Sequence, residues 1–243
     1  MKHFAIIGKP ISHSLAGEWF NNHFLQNKID ADFKMIEPSA NDLQNFKEWI
    51  FNNNFNGLLV TSPYKKEVIP LLDEVDRQAL SIGAVNIINV EKTKTIGFNT
   101  DYIAFENSLL NIRPEGLKNA VLIGNGGAAS AVLAALNRMN IATTIVSRNK
   151  GPNNILFSEL TKELLGNTDL IINATPLGML PCENECPPVN YSFINKNAVA
   201  YDLIYNPPTT LFLKKCKETG CEIYNGKEMV EIVYKESLKI WEV

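Results

Sequence analysis

Asn119-Ala-Val-Leu-Ile-Gly-Asn-Gly-Gly-Ala-Ala-Ser-Ala-Val-Leu-Ala-Ala-Leu-Asn-Arg138 is the stretch around which the chain is organised. Ala120 to Ile123 are consecutive apolar residues running into glycine, the pattern of a parallel strand buried on both faces. Behind them Ala128, Ala131, Val132, Ala135, Leu136 and Met139 recur at helical spacing, with Arg138 and Asn140 off that stripe. Between strand and helix, the glycine-rich turn Gly124-Asn125-Gly126-Gly127-Ala128-Ala129 lets backbone N–H groups approach a pyrophosphate and directs a helix N-terminus at its charge. The same turn also serves as a plain strand-to-helix connection, so the next strand is informative. Ala142 to Val146 runs into Ser147-Arg148-Asn149-Lys150, where the residue meeting an adenosine ribose is expected. An acidic side chain there would accept from a free 2′-hydroxyl, whereas Arg148 and Lys150 suit a 2′-phosphate. The expected cofactor is NADP rather than NAD.

Outward from this stretch, 243 residues allow two modest domains or one large one, and 45% apolar residues are enough for a buried core. The formal net charge of −3, with no basic block interleaved with aromatics, argues against a nucleic-acid surface. The apolar run in Met1 to Gly8 is shorter than a signal h-region, and no segment approaches the ~20 apolar residues of a membrane span, so a cytoplasmic protein is expected. Cys182, Cys186, Cys216 and Cys221 have spacings that miss the usual zinc knuckle and no histidine nearby; four thiols and no metal are expected.

The first hundred residues alternate strand and helix. Phe4 to Ile7, Phe33 to Ile36 and Gly57 to Thr61 read as strands. Ala16, Trp19, Phe20, His23 and Phe24 share one helix face, and Leu43, Phe46, Ile50 and Phe51 another, capped from Ser39 or Asn41. A helix through Val68 and Leu72 follows, then a hairpin of Ala84 to Val90 and Thr95 to Asn99 that adds an antiparallel pair to a mostly parallel sheet. A helix from Asp101 leads into the nucleotide half, whose later strands are Asp169 to Ala174 and Ala198 to Leu203. The closing helix, Met229 to Trp241, presents Val230, Val233, Tyr234, Leu238 and Trp241 on one side and is expected to pack back on the first half. The expected architecture is α/β in two domains. Residues 1–101 with 227–243 form a substrate-binding catalytic domain, and 102–226 a Rossmann-type NADP-binding domain.

Three segments set polar residues just beyond strand C-termini, where ligands of open α/β sheets bind: Gly8 to Ser14, Val60 to Lys65 and Gly97 to Asp101. Oxidising an alcohol with a nicotinamide requires an acid/base group at the hydroxyl. Lys65 and Asp101 are the natural pair, although spacing alone favours a surface lysine and a helix-capping aspartate.

These segments resemble the shikimate dehydrogenase family nearly end to end. G-x-P-I-x-H-S stands at Gly8 to Ser14, followed by Asn21; V-T-x-P-x-K at Val60 to Lys65; G-A-V-N at Gly83 to Asn86; N-T-D at Asn99 to Asp101. The glycine turn follows, then N-A-T-P-x-G-M at Asn173 to Met179, D-x-x-Y-x-P-x-x-T from Asp202 to Thr210, and G-x-x-M at Gly226 to Met229. The resemblance implies reversible NADP-dependent oxidation of shikimate to 3-dehydroshikimate, in aromatic amino-acid biosynthesis. It makes Lys65 and Asp101 the catalytic pair, and Ser14, Thr61, Asn86 and Tyr205 the substrate contacts. Cofactor contacts would be Gly124, Asn125, Gly126, Gly127, Ala128, Ser147, Arg148, Asn173, Thr175 and Gly226. A small-molecule substrate, no nucleic-acid or membrane partner, and a monomer or homodimer are expected.

Three positions depart from the family pattern. Ala16 stands for the second serine of a carboxylate-binding pair, Leu59 for an asparagine and Val233 for a glutamine. A hydrogen bond to a charged group is worth ~1.5–3 kcal/mol, so Ala16 should weaken a carboxylate ligand, while Leu59 and Val233 would leave substrate hydroxyls without partners and make the pocket discriminate less on them. The departures keep open an enzyme for a quinate- or shikimate-related analogue, or a non-catalytic NADP-binding sensor or partner-binding module.

Overall fold

Two separate six-stranded sheets arise from the alternating apolar runs and amphipathic stretches. The computed structural model describes residues 1–12, 14–113 and 115–243. His13 of the opening motif lies outside the described residues. The chain divides into one unit of Met1–Asp101 with Ile232–Val243 and a second of Tyr102–Glu231.

In the first unit, β1 (Lys2–Ile7), α1 (Ala16–Gln26), β2 (Ala31–Ile36), α2 (Ala40–Gln44), α3 (Phe46–Asn52) and β3 (Phe55–Val60) come first in the chain. They are followed by β4 (Glu74–Val75), α4 (Arg77–Ile82), β5 (Ile87–Val90) and β6 (Thr95–Phe98); α5 (Asp101–Ile112) begins on the last residue of this stretch and belongs otherwise to the second unit. The sheet order is β2-β1-β3-β5-β6-β4. The β1 strand is parallel to β2 and β3, while β5 is antiparallel to β3 and β6, as the hairpin reading required. The single helix expected over Leu43 to Phe51 is two. Ser39 and Asp42 form a capping box on α2, and Asn45 separates α2 from α3. The helix expected through Val68 and Leu72 is instead a run of turns with a 3₁₀ turn at Ile69–Leu71, where Pro70 lacks the N–H a longer helix would need.

One face of this sheet packs Ile7, Leu58 and Val60 against Phe46, Ile50 and Val68. The opposite face is aromatic. Trp241, near the end of the last helix, stacks on Phe4 at 4.6 Å and donates from Nε1 to the Ile88 carbonyl at 3.0 Å. A Cβ on Gly57 would come within 2.2 Å of that indole nitrogen, so glycine is what allows the helix to lie this close. The expected return of the closing helix onto the first sheet is thus observed.

In the second unit, β7 (Asn119–Ile123), α6 (Gly127–Arg138), β8 (Ala142–Ser147), β9 (Ile155–Leu156), α7 (Lys162–Gly166) and β10 (Leu170–Asn173) precede β11 (Val199–Asp202), α8 (Leu211–Glu218) and β12 (Glu222–Asn225); α9 (Lys227–Trp241) starts here and continues into the first unit from Ile232. All strands are parallel, in the order β12-β11-β10-β7-β8-β9. This is the doubly wound dinucleotide-binding order, with strand order reversing between β7 and β10. The sequence reading did not find β9, α7, α8 or β12. Three of these are short, and β12 is an edge strand whose first residue is exposed. The second division between units falls inside the continuous helix α9 rather than before it at Lys227. Among the described residues no helix is long and apolar enough to cross a membrane.

Candidate active site

Because β5 runs against its neighbours, its first end lies beside the C-terminal ends of β3 and β6. That geometry gathers the segments singled out from sequence. The Thr61 N–H donates to Ile7 at 2.9 Å and Lys9 N–H to Ser62 at 3.0 Å, so the loops after β1 and β3 are tied together. Gly8 lies where a Cβ would meet the Thr61 methyl at 2.3 Å. Glu37, just after β2, accepts from the Ile11 N–H at 3.0 Å and holds the opening loop from its other side. Lys65 is pinned through its carbonyl to the Val85 N–H at 2.7 Å.

Lys65 and Asp101 meet. Nζ donates to Oδ2 at 2.6 Å, with only 12% and 6% of the two side chains exposed. The other carboxylate oxygen, Oδ1, accepts from Asn86 Nδ2 at 2.9 Å, and the Asp101 N–H donates to Asn99 Oδ1 at 3.1 Å. Asn99 in turn donates to the Ala84 carbonyl at 2.8 Å. The ion pair is therefore buried, charge-balanced and held from three directions, an arrangement able to take up or deliver a proton as a unit. Tyr64, the residue before Lys65, is buried in the apolar cluster of the first unit, and burial first, then Glu67 and Glu37, push its phenol above the ordinary range. Ser14 is half-buried and its Oγ accepts from the Ala16 N–H at 3.2 Å; Thr61 is also half-buried.

The glycine turn of the second unit joins β7 to the start of α6. Gly124 has φ +117°, and a Cβ there would come within 2.9 Å of the Ala174 carbonyl oxygen, at the β7/β10 reversal. Gly126 caps α6 with no side chain, leaving the first N–H groups of the helix to an external acceptor. Arg148 is exposed just past β8. Lys150 is held by Glu159, with both carboxylate oxygens at 2.7 Å. The Ser147 hydroxyl is engaged internally, donating to the Asn149 carbonyl at 2.8 Å and accepting from Asn154 Nδ2 at 2.9 Å. Of the basic groups expected here Arg148 and Lys150 are both exposed, but Lys150 is paired with Glu159, while the Ser147 hydroxyl is turned inward. Asn173 is fully buried. Its Oδ1 accepts from the Thr175 N–H at 3.0 Å and Oγ1 at 2.7 Å, and its Nδ2 donates to the Leu177 carbonyl and to Asp202 Oδ1, both at 3.1 Å.

Residues 6–88 match the family model for the shikimate dehydrogenase substrate binding domain. Over 97% of the chain and 95% of the relative, the sequence is 36% identical to the shikimate dehydrogenase (NADP(+)) of Clostridium botulinum. The chain belongs to the shikimate dehydrogenase family. The crystal structure of the shikimate dehydrogenase from Aquifex aeolicus is similar with a TM-score of 0.88 at 32% identity, covering 99% of this chain and 92% of that one. A shikimate dehydrogenase solved in complex with NADP+ is similar with a TM-score of 0.86 at 30% identity, covering 99% and 90%.

Against the family pattern, Ala16, Leu59 and Val233 are all buried, so each apolar replacement sits in an environment that suits it. Tyr205 and Gly226 belong to the second unit, in the segments after β11 and β12; the Gly226 N–H donates to the Ile204 carbonyl at 3.2 Å. Sequence reasoning placed Thr100, Asp202 and Thr210 in family motifs but gave them no role of their own. Asp202 is fully buried, accepting from Thr210 Oγ1 at 2.5 Å, the Ile204 N–H at 3.0 Å and Asn173 at 3.1 Å. Its place at the end of a buried apolar strand was the available signal, since a carboxylate there needs partners. Among the described residues no group of three His, Cys, Asp or Glu side chains could hold a metal ion.

Proposed function

We propose that the protein catalyses the reversible NADP-dependent oxidation of shikimate to 3-dehydroshikimate. The observation that carries this is the Lys65–Asp101 pair, 2.6 Å apart and nearly excluded from water, at the strand ends of the unit that matches the substrate-binding family model. Removing an alcohol proton needs a group whose protonation can change in place, and a coupled ammonium–carboxylate pair provides it. Lys65 and Asp101 would take up the hydroxyl proton during oxidation and return it to the carbonyl oxygen in the reverse direction. Ser14, Thr61, Asn86 and Tyr205 would contact the substrate.

NADP, when bound, supplies the redox chemistry. The first N–H groups of α6 over Gly126 to Ala128 would receive its diphosphate, with Gly124 and Asn125 shaping the turn. Arg148 would hold the 2′-phosphate, and the half-buried Thr175, bonded to the buried Asn173, would form the neighbouring loop surface; Gly226 is itself buried. The low exposure of the catalytic pair keeps bulk water from competing for the proton. Curated relatives at 33–36% identity carry the name shikimate dehydrogenase (NADP(+)), which favours shikimate over an analogue and a working enzyme over a binding module. We place the protein in the cytoplasm as a monomer or homodimer.

Initial-rate NADPH formation with shikimate, quinate and analogues lacking single hydroxyls, each with NADP and with NAD, tests the proposal. Fastest turnover on shikimate with NADP is expected. Preference for an analogue would mean that Ala16, Leu59 and Val233 have redirected specificity, and no turnover with NADP still bound would leave the binding-module reading.

A further inference from the structure

The loop between β8 and β9 carries both cations expected near the cofactor's ribose, Arg148 and Lys150, and its course is fixed from within. The Ser147 hydroxyl donates to the Asn149 carbonyl at 2.8 Å, and Asn154 Nδ2 donates to Ser147 Oγ and to the Asn149 carbonyl, both at 2.9 Å. A Cβ on Gly151 would come within 2.5 Å of Asn154 Oδ1, so the turn closes on that asparagine. Beyond the loop, Leu156 lies opposite Ser147 in the parallel pairing of β8 with β9. Its N–H donates to Glu159 Oε2 at 2.6 Å, and Lys150 Nζ donates to both oxygens of Glu159 at 2.7 Å. The Leu156 N–H first, then the Lys150 ammonium, hold the Glu159 carboxyl below its ordinary range, so it is an anion at neutral pH. The backbone bond makes Glu159 the fixed partner, whereas Lys150 is a flexible side chain that is 55% exposed.

We propose that Glu159 is a specificity-determining residue for the cofactor: by neutralising Lys150 it withholds one of the loop's two cations from the 2′-phosphate and leaves Arg148 to read it. Lys150 and Glu159 together carry no net charge, so a 2′-phosphate of about −1.5 to −2 meets one uncompensated cation in this loop rather than two. An exposed pair of this kind adds little to folding, so its consequence is for local charge and not for stability. This inference rests on the proposed reading of Arg148 as the 2′-phosphate contact.

Calorimetric titration of adenosine 2′,5′-bisphosphate and adenosine 5′-monophosphate into the wild type, Glu159→Gln, Lys150→Ala and the double variant tests it without turnover. The Glu159→Gln amide keeps an acceptor for the Leu156 N–H while removing the charge. That variant should bind the bisphosphate about three- to tenfold more tightly than the wild type, and Lys150→Ala, which leaves the Glu159 charge bare, about three- to tenfold more weakly, the effect of one exposed charge on a phosphate. The double variant should return to within about twofold of the wild type, because the two charges removed had cancelled. The monophosphate should bind all four proteins within about twofold, and about 0.5 M salt should shrink the differences for the bisphosphate. Initial rates should follow, with the KM for NADP lowered in Glu159→Gln and that for NAD unchanged. Equal urea unfolding of the four proteins checks that binding, not folding, has changed.

Unchanged affinity for the bisphosphate in Glu159→Gln would overturn the inference. A double variant as weak as Lys150→Ala would overturn it as well, since Lys150 would then serve the 2′-phosphate despite Glu159. Equal affinity of the wild type for the two nucleotides is a separate failure, which would reject Arg148 as the 2′-phosphate contact and the withholding role with it. A wild-type preference for the bisphosphate that does not respond to Glu159→Gln would reject the Glu159 role alone.

Discussion

Removing the Lys65 side chain should separate catalysis from stability. Asp101 keeps 6% of its side chain exposed, and Lys65 is its cationic partner at 2.6 Å. In Lys65→Ala the carboxylate retains the Asn86 amide but loses its counter-charge, leaving a buried ion uncompensated, which costs ~3–5 kcal/mol. A double variant, Lys65→Met with Asp101→Asn, removes both charges at similar volume. Its Asn can still meet Asn86, and exchanging a buried ion pair for neutral groups is often close to neutral in stability. Activity should not follow the same pattern. Lys65→Ala should lose ~10²–10⁴ in kcat, and the double variant about as much, because the two groups work as a unit. The assay combines urea unfolding, initial rates on shikimate with NADP, and NADP titration by fluorescence, the last expected to be unchanged. A rate for Lys65→Ala within about threefold of the parent would refute its acid/base role. Recovery of activity along with stability in the double variant would refute it as well, since the loss would then be structural.

Other perturbations are equally direct. Arg148→Ala should raise the KM for NADP about tenfold or more while leaving the KM for NAD within about twofold, since one charge-assisted contact to the 2′-phosphate is lost; parallel changes for both cofactors would refute that role. Burial holds the Asp202 carboxyl up to about 7 against the opposing hydrogen bonds from Thr210, Ile204 and Asn173. The folded protein therefore binds that proton more tightly than the unfolded chain does. The stabilising contribution is complete below the ordinary carboxylate range and is lost as pH rises through about 7. That difference corresponds to about 4 kcal/mol, and unfolding of Asp202→Asn between pH 4 and 8 should show a flatter stability profile than the parent; identical profiles would refute the assignment. Trp241→Ala should cost ~3–5 kcal/mol in the unfolding of the first unit, because it empties the space above Gly57 and leaves the Ile88 carbonyl without its indole donor. A loss under about 1 kcal/mol would mean the last helix contributes little there.

Much of the fold and site was legible from residue patterns. The Ala120 to Ile123 run and its glycine turn became the central strand and first helix of a doubly wound sheet, and the Ala84 to Asn99 hairpin appears antiparallel as read. Apolar periodicity records which face of a segment is buried, so strongly patterned elements could be recognised locally. Elements with little pattern could not: β9 has two residues, and the stretch around Pro70 carried helical spacing but lacked the backbone donor to use it.

The sequence by itself determined the chemistry available: the family, the Lys65 and Asp101 side chains, the glycine turn and the arginine past β8. Only the tertiary structure decided how those groups are spent. It brought Lys65 to Asp101, set Asn86 on the same carboxylate, and turned the Ser147 hydroxyl inward while leaving Arg148 exposed. It also buried Asp202 among Asn173, Ile204 and Thr210. Hydrogen bonds and ion pairs form between groups distant in the chain at separations of about 3 Å, and no periodicity along the sequence specifies a distance across it.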